Sequence, residues 1–341
     1  MEKRLATDKR KFSMLCTILL VLLIVLFFAS IRTGTMNIPF PQIWSAFFGS
    51  DVGNQRMTLF EFRLPRIVLA MLIGAGIAVS GGILQSISRN PLADPGIIGV
   101  NAGASFSVVL YTFFFKGTAF LAGVVSIFVM PFFALTGAFL SAILVYLLAK
   151  KGGSVAPGRL VLTGIGLNAA FNAATTVLQM KMDPQDFTKT LTWISGSIWA
   201  TNWDYVLVTL AWLVVLLPFA IYKARYLNIM RLDEPVITGL GVPLEKERLK
   251  LLGTAVGLAG CCVAVGGGIT FLGLIAPHIA RGIMGTKHEF SLPLTALIGA
   301  NILLLADTVG RVVIPSMELP VGIVISILGA PYFIYLLIRT A

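Results

Sequence analysis

Residues 251–280 read LLGTAVGLAGCCVAVGGGITFLGLIAPHIA, a stretch with no acidic, lysine or arginine side chain. A straight helix crosses the hydrocarbon core of a bilayer with about 20 residues, so this run is too long for one crossing. It is also interrupted, by Gly266, Gly267 and Gly268 and again by Pro277. Consecutive glycines expose backbone groups that lipid cannot satisfy, which places the break among helices or against a wet cavity. We read the stretch as two segments, the second one short. That choice makes the number of crossings even and puts both ends of the chain on one side.

The rest of the chain has the same character. Hydrophobic side chains make up 57% of the 341 residues and charged ones only 12%, with a mean hydropathy of +0.91. Soluble domains carry about 25% charge, so this is an integral membrane protein. Charge-free runs at Ser13–Ile31, Ile67–Ser88, Gly96–Phe115, Leu160–Met180 and Tyr205–Tyr222 each fit one helix. Gly117–Ala149 fits a tilted helix and a loop, and Leu292–Ala306 and Leu319–Ile338 close the series. With 251–280 split, about ten crossings are expected in a single domain over residues 1–341, with a cytoplasmic tail at 1–12. The first run has a basic flank but ends Phe28-Ala29-Ser30-Ile31-Arg32, without a small-x-small cleavage site, and reads as a retained helix.

Lys and Arg collect on cytoplasmic loops. Placing the amino terminus inside puts Lys9, Arg10, Lys11, Arg89, Lys150, Lys151, Lys223, Arg225, Arg231, Arg281 and Lys287 inside with it. Arg32, Arg56, Arg63, Arg66, Lys116, Lys181, Lys189 and Arg311 face outward. A single crossing at 251–280 would expel Arg281 and Lys287, so the charges favour two. The net charge of +11 is thus mostly topological and requires no nucleic acid.

Catalytic and metal-binding patterns are missing. There is no GxxxxGK[ST] phosphate loop and no HExxH, and the two histidines are His278 and His288. Cys16, Cys261 and Cys262 lie in apolar runs and read as small core residues. Ion-coupled carriers keep ionisable groups within the bilayer. Here Asp307 stands at the end of its run with Arg311 four residues on, a spacing that lets the two pair on one helix face, while Asp94 and Glu318 fall in loops. Small residues four apart, Gly74 with Ala78, Gly76 with Ser80, Gly99 with Gly103 and Gly253 with Gly257, suit close helix packing. Trp193, Trp199 and Trp203 read as an interfacial aromatic belt.

Three features remain. Asn90-Pro91-Leu92-Ala93-Asp94-Pro95 breaks the chain between two crossings, because proline removes a donor and disfavours helix in the residue before it. A simple turn or a stiff elbow both fit. In the charged loop at about 223–250, Val236, Ile237 and Leu240 follow a Glu234-Pro235 start and precede Gly241, the pattern of a short amphipathic helix. It suits a groove on another protein or the lipid interface. Arg63, Arg66 and Arg311 are outward-facing cations that dock a partner or snorkel to headgroups.

These segments also carry a family likeness. Arg63-Leu64-Pro65-Arg66, the run from Gly74 to Gln85 and Asn90 to Val100 resemble the FecCD-type permeases of ABC importers for iron-siderophores, haem and cobalamin. So do Gly268 to Arg281, Ala306-Asp307 with Arg311, Leu319 to Ile323 and Gly329 to Phe333. The resemblance implies an all-α type II importer permease whose helices two to five and seven to ten repeat with inverted topology. It makes Asn90 and Leu92 gate candidates at the inner mouth of the pore. Arg63, Arg66 and Arg311 would meet glutamates of an extracellular solute-binding protein. Asp233, Glu234, Val236, Ile237, Gly239, Leu240 and Gly241 would form the helix that couples to the ATPase. The implied partners are a second permease subunit, identical or homologous, and two ATPase subunits, which would bind the ATP and Mg; the chain itself would hold no cofactor or metal. Iron(III)-siderophore is the expected cargo, ahead of haem and cobalamin. An ion-coupled secondary transporter and a membrane enzyme are the rival classes.

Overall fold

The structure is a computed structural model that describes residues 2–33, 54–115, 126–151, 154–199, 201–313 and 318–340. The helices are α1 (Glu2–Arg32), α2 (Leu64–Ile87), α3 (Val100–Phe115), α4 (Ser126–Ala149), α5 (Pro157–Gln179), α6 (Pro184–Ile194), α7 (Trp203–Tyr222), α8 (Ala224–Ile229), α9 (Glu234–Gly239), α10 (Leu244–Gly266), α11 (Leu272–Met284), α12 (His288–Val313) and α13 (Val321–Thr340). A helical turn at Asn54–Met57 and a π-helical stretch at Thr58–Arg63 lead directly into α2. Among the described residues the strands form one small ladder, β1 (Lys150–Lys151) antiparallel to β2 (Ser154–Val155). Eight helices, α2 taken with its π-helical lead-in, are long and apolar enough to cross a membrane, and α3 and α11 are apolar but shorter.

The 251–280 stretch does divide in two. Helix α10 ends at Gly266, Gly267 takes φ of 70°, and Phe271, which precedes α11, sits in the left-handed region at φ 65°. The break is packed among helices: a Cβ on Gly267 would collide with the carbonyl of Trp193, and one on Gly268 would meet that of Ile194. Trp193 therefore packs against the core and does not join a surface belt, whereas Trp199 is exposed.

Charge-free runs locate the helices but misplace some ends. The run that starts at Ile67 belongs to a helix that already contains Arg63 and Arg66, and the run that stops at Ala306 continues through Asp307 and Arg311 to Val313. These charges pair with one another, as described below, so they need not leave the bundle. The tail expected at 1–12 is helical from Glu2. Lys11 Nζ donates to the Ile283 carbonyl at 2.7 Å and Lys287 Nζ lies 3.2 Å from Asp8 Oδ2, which ties the tail to the turn between α11 and α12. Lys116 and the first part of the Gly117–Ala149 run lie outside the described residues.

Helix α2 is the axis of the bundle and packs on α12, α10, α11 and α7. Four of its small residues permit this. A Cβ on Gly74 would collide with the backbone of Gly299 in α12, one on Gly81 with the backbone of Gly273 in α11, and one on Gly76 with Cys262 Sγ in α10. Ser80 Oγ donates to the Ala255 carbonyl at 2.7 Å. Cys261 and Cys262 are small buried residues, as expected. Gly103 meets Gly137 between α3 and α4 in the same manner, but Gly253 faces open space and packs against nothing. By contrast, α1 and α7 expose most of their apolar surface, the disposition of lipid-facing helices.

A methyl group at Gly299 would have to push two backbones apart, a strain of about 1–3 kcal/mol. Gly299→Ala is expected to lower the thermal midpoint of the detergent-purified protein measurably. Gly253→Ala, with nothing within 4 Å, is expected to stay within about 0.5 kcal/mol of wild type or to gain slightly from helix propensity; equal losses at both sites would contradict this packing.

Candidate functional site

Three groups of residues lie along the bundle. At one end, Arg63, Arg66 and Arg311 come together as expected, but each guanidinium is engaged within the chain. Arg66 Nε donates to Asp307 Oδ1 at 2.9 Å and its Nη1 to Glu318 Oε2 at 2.6 Å. Arg311 Nη2 lies 3.1 Å from Asp307 Oδ2 and also donates to Ser30 Oγ, while its Nη1 donates to the Thr33 carbonyl at 3.1 Å. Arg63 Nη1 donates to the Ile31 carbonyl at 2.5 Å. Arg63, Arg311 and Asp307 are buried. The pairing of Asp307 with Arg311 was legible from the four-residue spacing; the role of Arg66 as their bridge to α2 was not, because 241 residues separate it from Asp307.

At the other end, residues 88–99 form the elbow. Asn90 Oδ1 accepts from the Leu92 amide at 2.9 Å and Asp94 Oδ1 from the Gly96 amide at 2.8 Å, two side-chain turns that stiffen the prolines' bend. Leu92 packs against the apolar cluster formed by Leu274 and Ile275 of α11 and Leu336 of α13. Asp94 is the surprise. It lies in a loop, as expected, yet is buried, with Oδ2 unpartnered. Burial pushes its carboxyl up to about 6, and the Gly96 amide opposes that rise.

Asp94 borders a cavity of about 480 Å³, with Asn101 of α3, Asn168 and Asn172 of α5, and Thr270 and Phe271 beside the glycine break. Asn168 Nδ2 donates to the Gly96 carbonyl at 2.5 Å and Asn101 Nδ2 to the Ile269 carbonyl at 3.3 Å. Asn101 Oδ1, like Asp94 Oδ2, has no protein partner, so the cavity offers hydrogen-bond acceptors of the kind that hold water. The break in 251–280 thus borders a cavity with polar groups on its walls as well as packed helices. Helix α5 was read only as a span. Its window is the least apolar of the eight and just 17% buried, and Asn172 and Thr176 are exposed on it beside Ala169, Ala170 and Ala173. Asparagine and threonine on an exposed face were the available sequence signal for a wet surface.

The amphipathic segment is a real helix. Asp233 precedes α9, Pro235 occupies its first turn, and the chain leaves it through Gly241 at φ 70°. The apolar residues do not share one side. Ile237 is fully buried, whereas Val236 and Leu240 are 52% and 61% exposed. A Cβ on Gly239 or Gly241 would meet nothing within 4 Å. Ile237 is therefore the buried anchor of α9, and Val236 and Leu240 stay exposed.

Comparison with known proteins agrees with this layout. Residues 22–339 match the FecCD transport family. The chain is 53% identical to the iron(3+)-hydroxamate import system permease protein FhuG of Bacillus subtilis over 98% of both chains. It is 40% identical to the Fe(3+)-citrate import system permease protein YfmE of the same organism, over 97% of both. It is also similar to a solved inward-facing metal-chelate type ABC transporter, with a TM-score of 0.83 and 31% identity over 96% of this chain and 99% of the other.

Two outcomes are expected from these sites. Asp307→Ala strands the buried Arg311, takes one of the two carboxylates from Arg66 and should cost about 3–5 kcal/mol in unfolding experiments; Glu318→Ala removes a partly exposed partner and should cost about 1 kcal/mol or less. For Asp94 the folded value lies above the unfolded value of 3.8, so its contribution is fully present below that unfolded value and is lost as pH rises through about 6. Asp94→Asn retains an oxygen for the Gly96 amide and stays neutral. It should flatten the fall in thermal stability between about pH 3 and 7, by up to about 3 kcal/mol in total; an unchanged pH slope would show that Asp94 is ionised at no cost.

Proposed function

We propose, on the premise that the chain belongs to the FecCD transport family, that this permease imports an iron(III) chelate of the siderophore class. It is the membrane-spanning permease subunit of an ATP-binding-cassette importer, a multi-pass protein of the cell membrane without catalytic activity of its own. The observation that carries the cargo is the 53% identity, over 98% of both chains, to a permease named for iron(3+)-hydroxamate import. A trihydroxamate-type chelate is accordingly the first substrate to test, ahead of ferric citrate, haem and cobalamin.

The eight long helices together with α3 and α11 make ten crossings in this reading, with both termini cytoplasmic and α2–α5 repeated in inverted form by the later helices. Adjacency of the tail to the turn after α11 supports the even count. Two permease subunits, identical or homologous, enclose the pore. The exposed Asn172 and Thr176 with their small neighbours on α5 suit a wet passage better than lipid. The polar cavity opens beside that face, and Asn90 and Leu92 set the elbow that closes it.

Energy comes from two ATPase subunits, which bind ATP and its Mg²⁺. Val236 and Leu240 of α9 insert into a groove on each ATPase, and Asp233, Glu234, Gly239 and Gly241 shape the ends of that helix. An extracellular solute-binding protein delivers the chelate. Arg63, Arg66 and Arg311 act on it through the field of their clustered guanidiniums, which steers acidic groups toward the pore mouth, because hydrogen bonds within the chain already hold all three.

Reconstitution with the ATPase subunits and the binding protein tests this scheme. Uptake of a ferric hydroxamate should require ATP hydrolysis, survive an ionophore, and be stimulated less by the binding protein as ionic strength rises. Replacing Val236 and Leu240 together by Asp should abolish ATPase association and reduce uptake by at least about tenfold, with the permease still folded. Uptake that persists without an ATPase and collapses with an ionophore would establish an ion-coupled carrier instead.

A further inference from the structure

Between the elbow and α9 lies another cavity, of about 240 Å³. Arg89 of the elbow, Arg231 of the segment before α9 and Arg281 of the last turns of α11 line it, together with Gln85 and His288. No acidic side chain is among its lining residues. Arg89 holds a left-handed backbone at φ 49°. Its Nε donates to the Met230 carbonyl at 3.0 Å and its Nη2 to the Leu232 carbonyl. Arg281 Nη2 donates to Gln85 Oε1, and Arg231 Nη1 makes one long contact of 3.4 Å with the Thr286 carbonyl. Every one of these acceptors is neutral.

The contrast with the opposite end of the bundle is informative. There Arg66 and Arg311 are answered by Asp307 and Glu318; here three arginines share a partly enclosed space with no carboxylate on its walls. The nearby Glu289 is turned to Asn228, whose Nδ2 donates to its two oxygens at 2.9 and 2.8 Å. His288 is spent as well, with its ring nitrogens 2.7 Å from Asn228 Oδ1 and 2.6 Å from Ser86 Oγ. Like charges held close together in a low-dielectric setting repel strongly unless an anion joins them. Each guanidinium has five N–H groups in a planar fork suited to tetrahedral oxyanions, and several on each arginine remain uncommitted.

We propose that this cavity binds a phosphate-class oxyanion, as free phosphate or as the phosphodiester of an acidic lipid headgroup. Bound there, the anion joins the elbow, the approach to α9 and the end of α11 through one shared charge. It would make the gate-side elbow and the ATPase-side helix move as one piece.

The test uses the full chain, purified and delipidated, in nanodiscs of phosphatidylcholine alone or with phosphatidylglycerol. Inorganic phosphate should raise the thermal midpoint saturably, beyond sodium chloride of equal ionic strength, if the occupant is free phosphate. Retention of phosphatidylglycerol in native mass spectra, with stabilisation only in the mixed discs, identifies the headgroup. Arg231→Gln, whose side chain is exposed and makes one weak contact, should weaken the effective affinity for whichever anion binds by about tenfold, and Arg231→Lys by less, with circular dichroism unchanged. Arg281→Gln should weaken it too. The proposal is overturned if neither anion acts beyond chloride, if the variants respond as wild type does, or if the arginines cross-link to an acidic ATPase side chain in the assembled transporter with no anion bound.

Discussion

The fold depends on the closeness with which α2 meets its neighbours. In a bilayer there is little hydrophobic drive between helices, so association rests on contact area and on backbone approach. Gly74 against Gly299 and Gly81 against Gly273 bring α2 into near backbone contact with α12 and α11 at two levels. That approach places Ser80 within 2.7 Å of a carbonyl on α10 and Gln85 within reach of the first carbonyls of α11. The start of α11 and the elbow that follows α2 are thereby held against each other, and Gly273 sits against Asp94 and Pro95. The elbow is therefore built on a rigid pillar and is not a free loop.

Electrostatics finishes what the glycines begin. Asp307 reaches two arginines, one on its own helix and one on α2, so the α2–α12 pair is locked at its end as well as along its length. Removing any member leaves charge stranded in a low-dielectric site, which is why such clusters are strongly destabilised when broken even where their net contribution is small. The clamp also explains how charged residues are accommodated within long apolar helices.

Much of this was legible from the residues alone. The glycine triplet predicted its own break, the prolines at 91 and 95 the elbow, and the Glu-Pro start with its later glycine the helix α9. Local chemistry decides each of these, and local chemistry is what a sequence displays. Helix ends near Arg66 and Asp307 were misread because their neutralising partners are distant along the chain. Gly253 was misjudged for a related reason: four-residue spacing says which residues share a face, not whether another helix lies on it. The single apolar face expected of Val236, Ile237 and Leu240 failed because successive helical residues are about 100° apart, so Ile237 turns toward the bundle while Val236 and Leu240, four apart, share the exposed side. Asp94 was placed correctly in a loop, but its burial could not be read from a motif.

The arrangement of α9 bears directly on how force would pass through the protein. A short helix that merely rested on the bundle would rotate under load and transmit little. Here Ile237 is fully buried beneath it, Lys223 pairs with Glu247 at 2.7 Å across the base of the loop, and Arg89 reaches from the elbow to two carbonyls just ahead of α9. The chain just ahead of α9 is thus hydrogen-bonded through its carbonyls to Arg89, whose left-handed conformation fixes the direction of the chain into Asn90 and Leu92. Leu92 in turn packs on the apolar cluster of Leu274, Ile275 and Leu336. Each link in that series is either packed apolar surface or a hydrogen bond to backbone, so α9 and the elbow are joined by direct contacts and not by a slack loop.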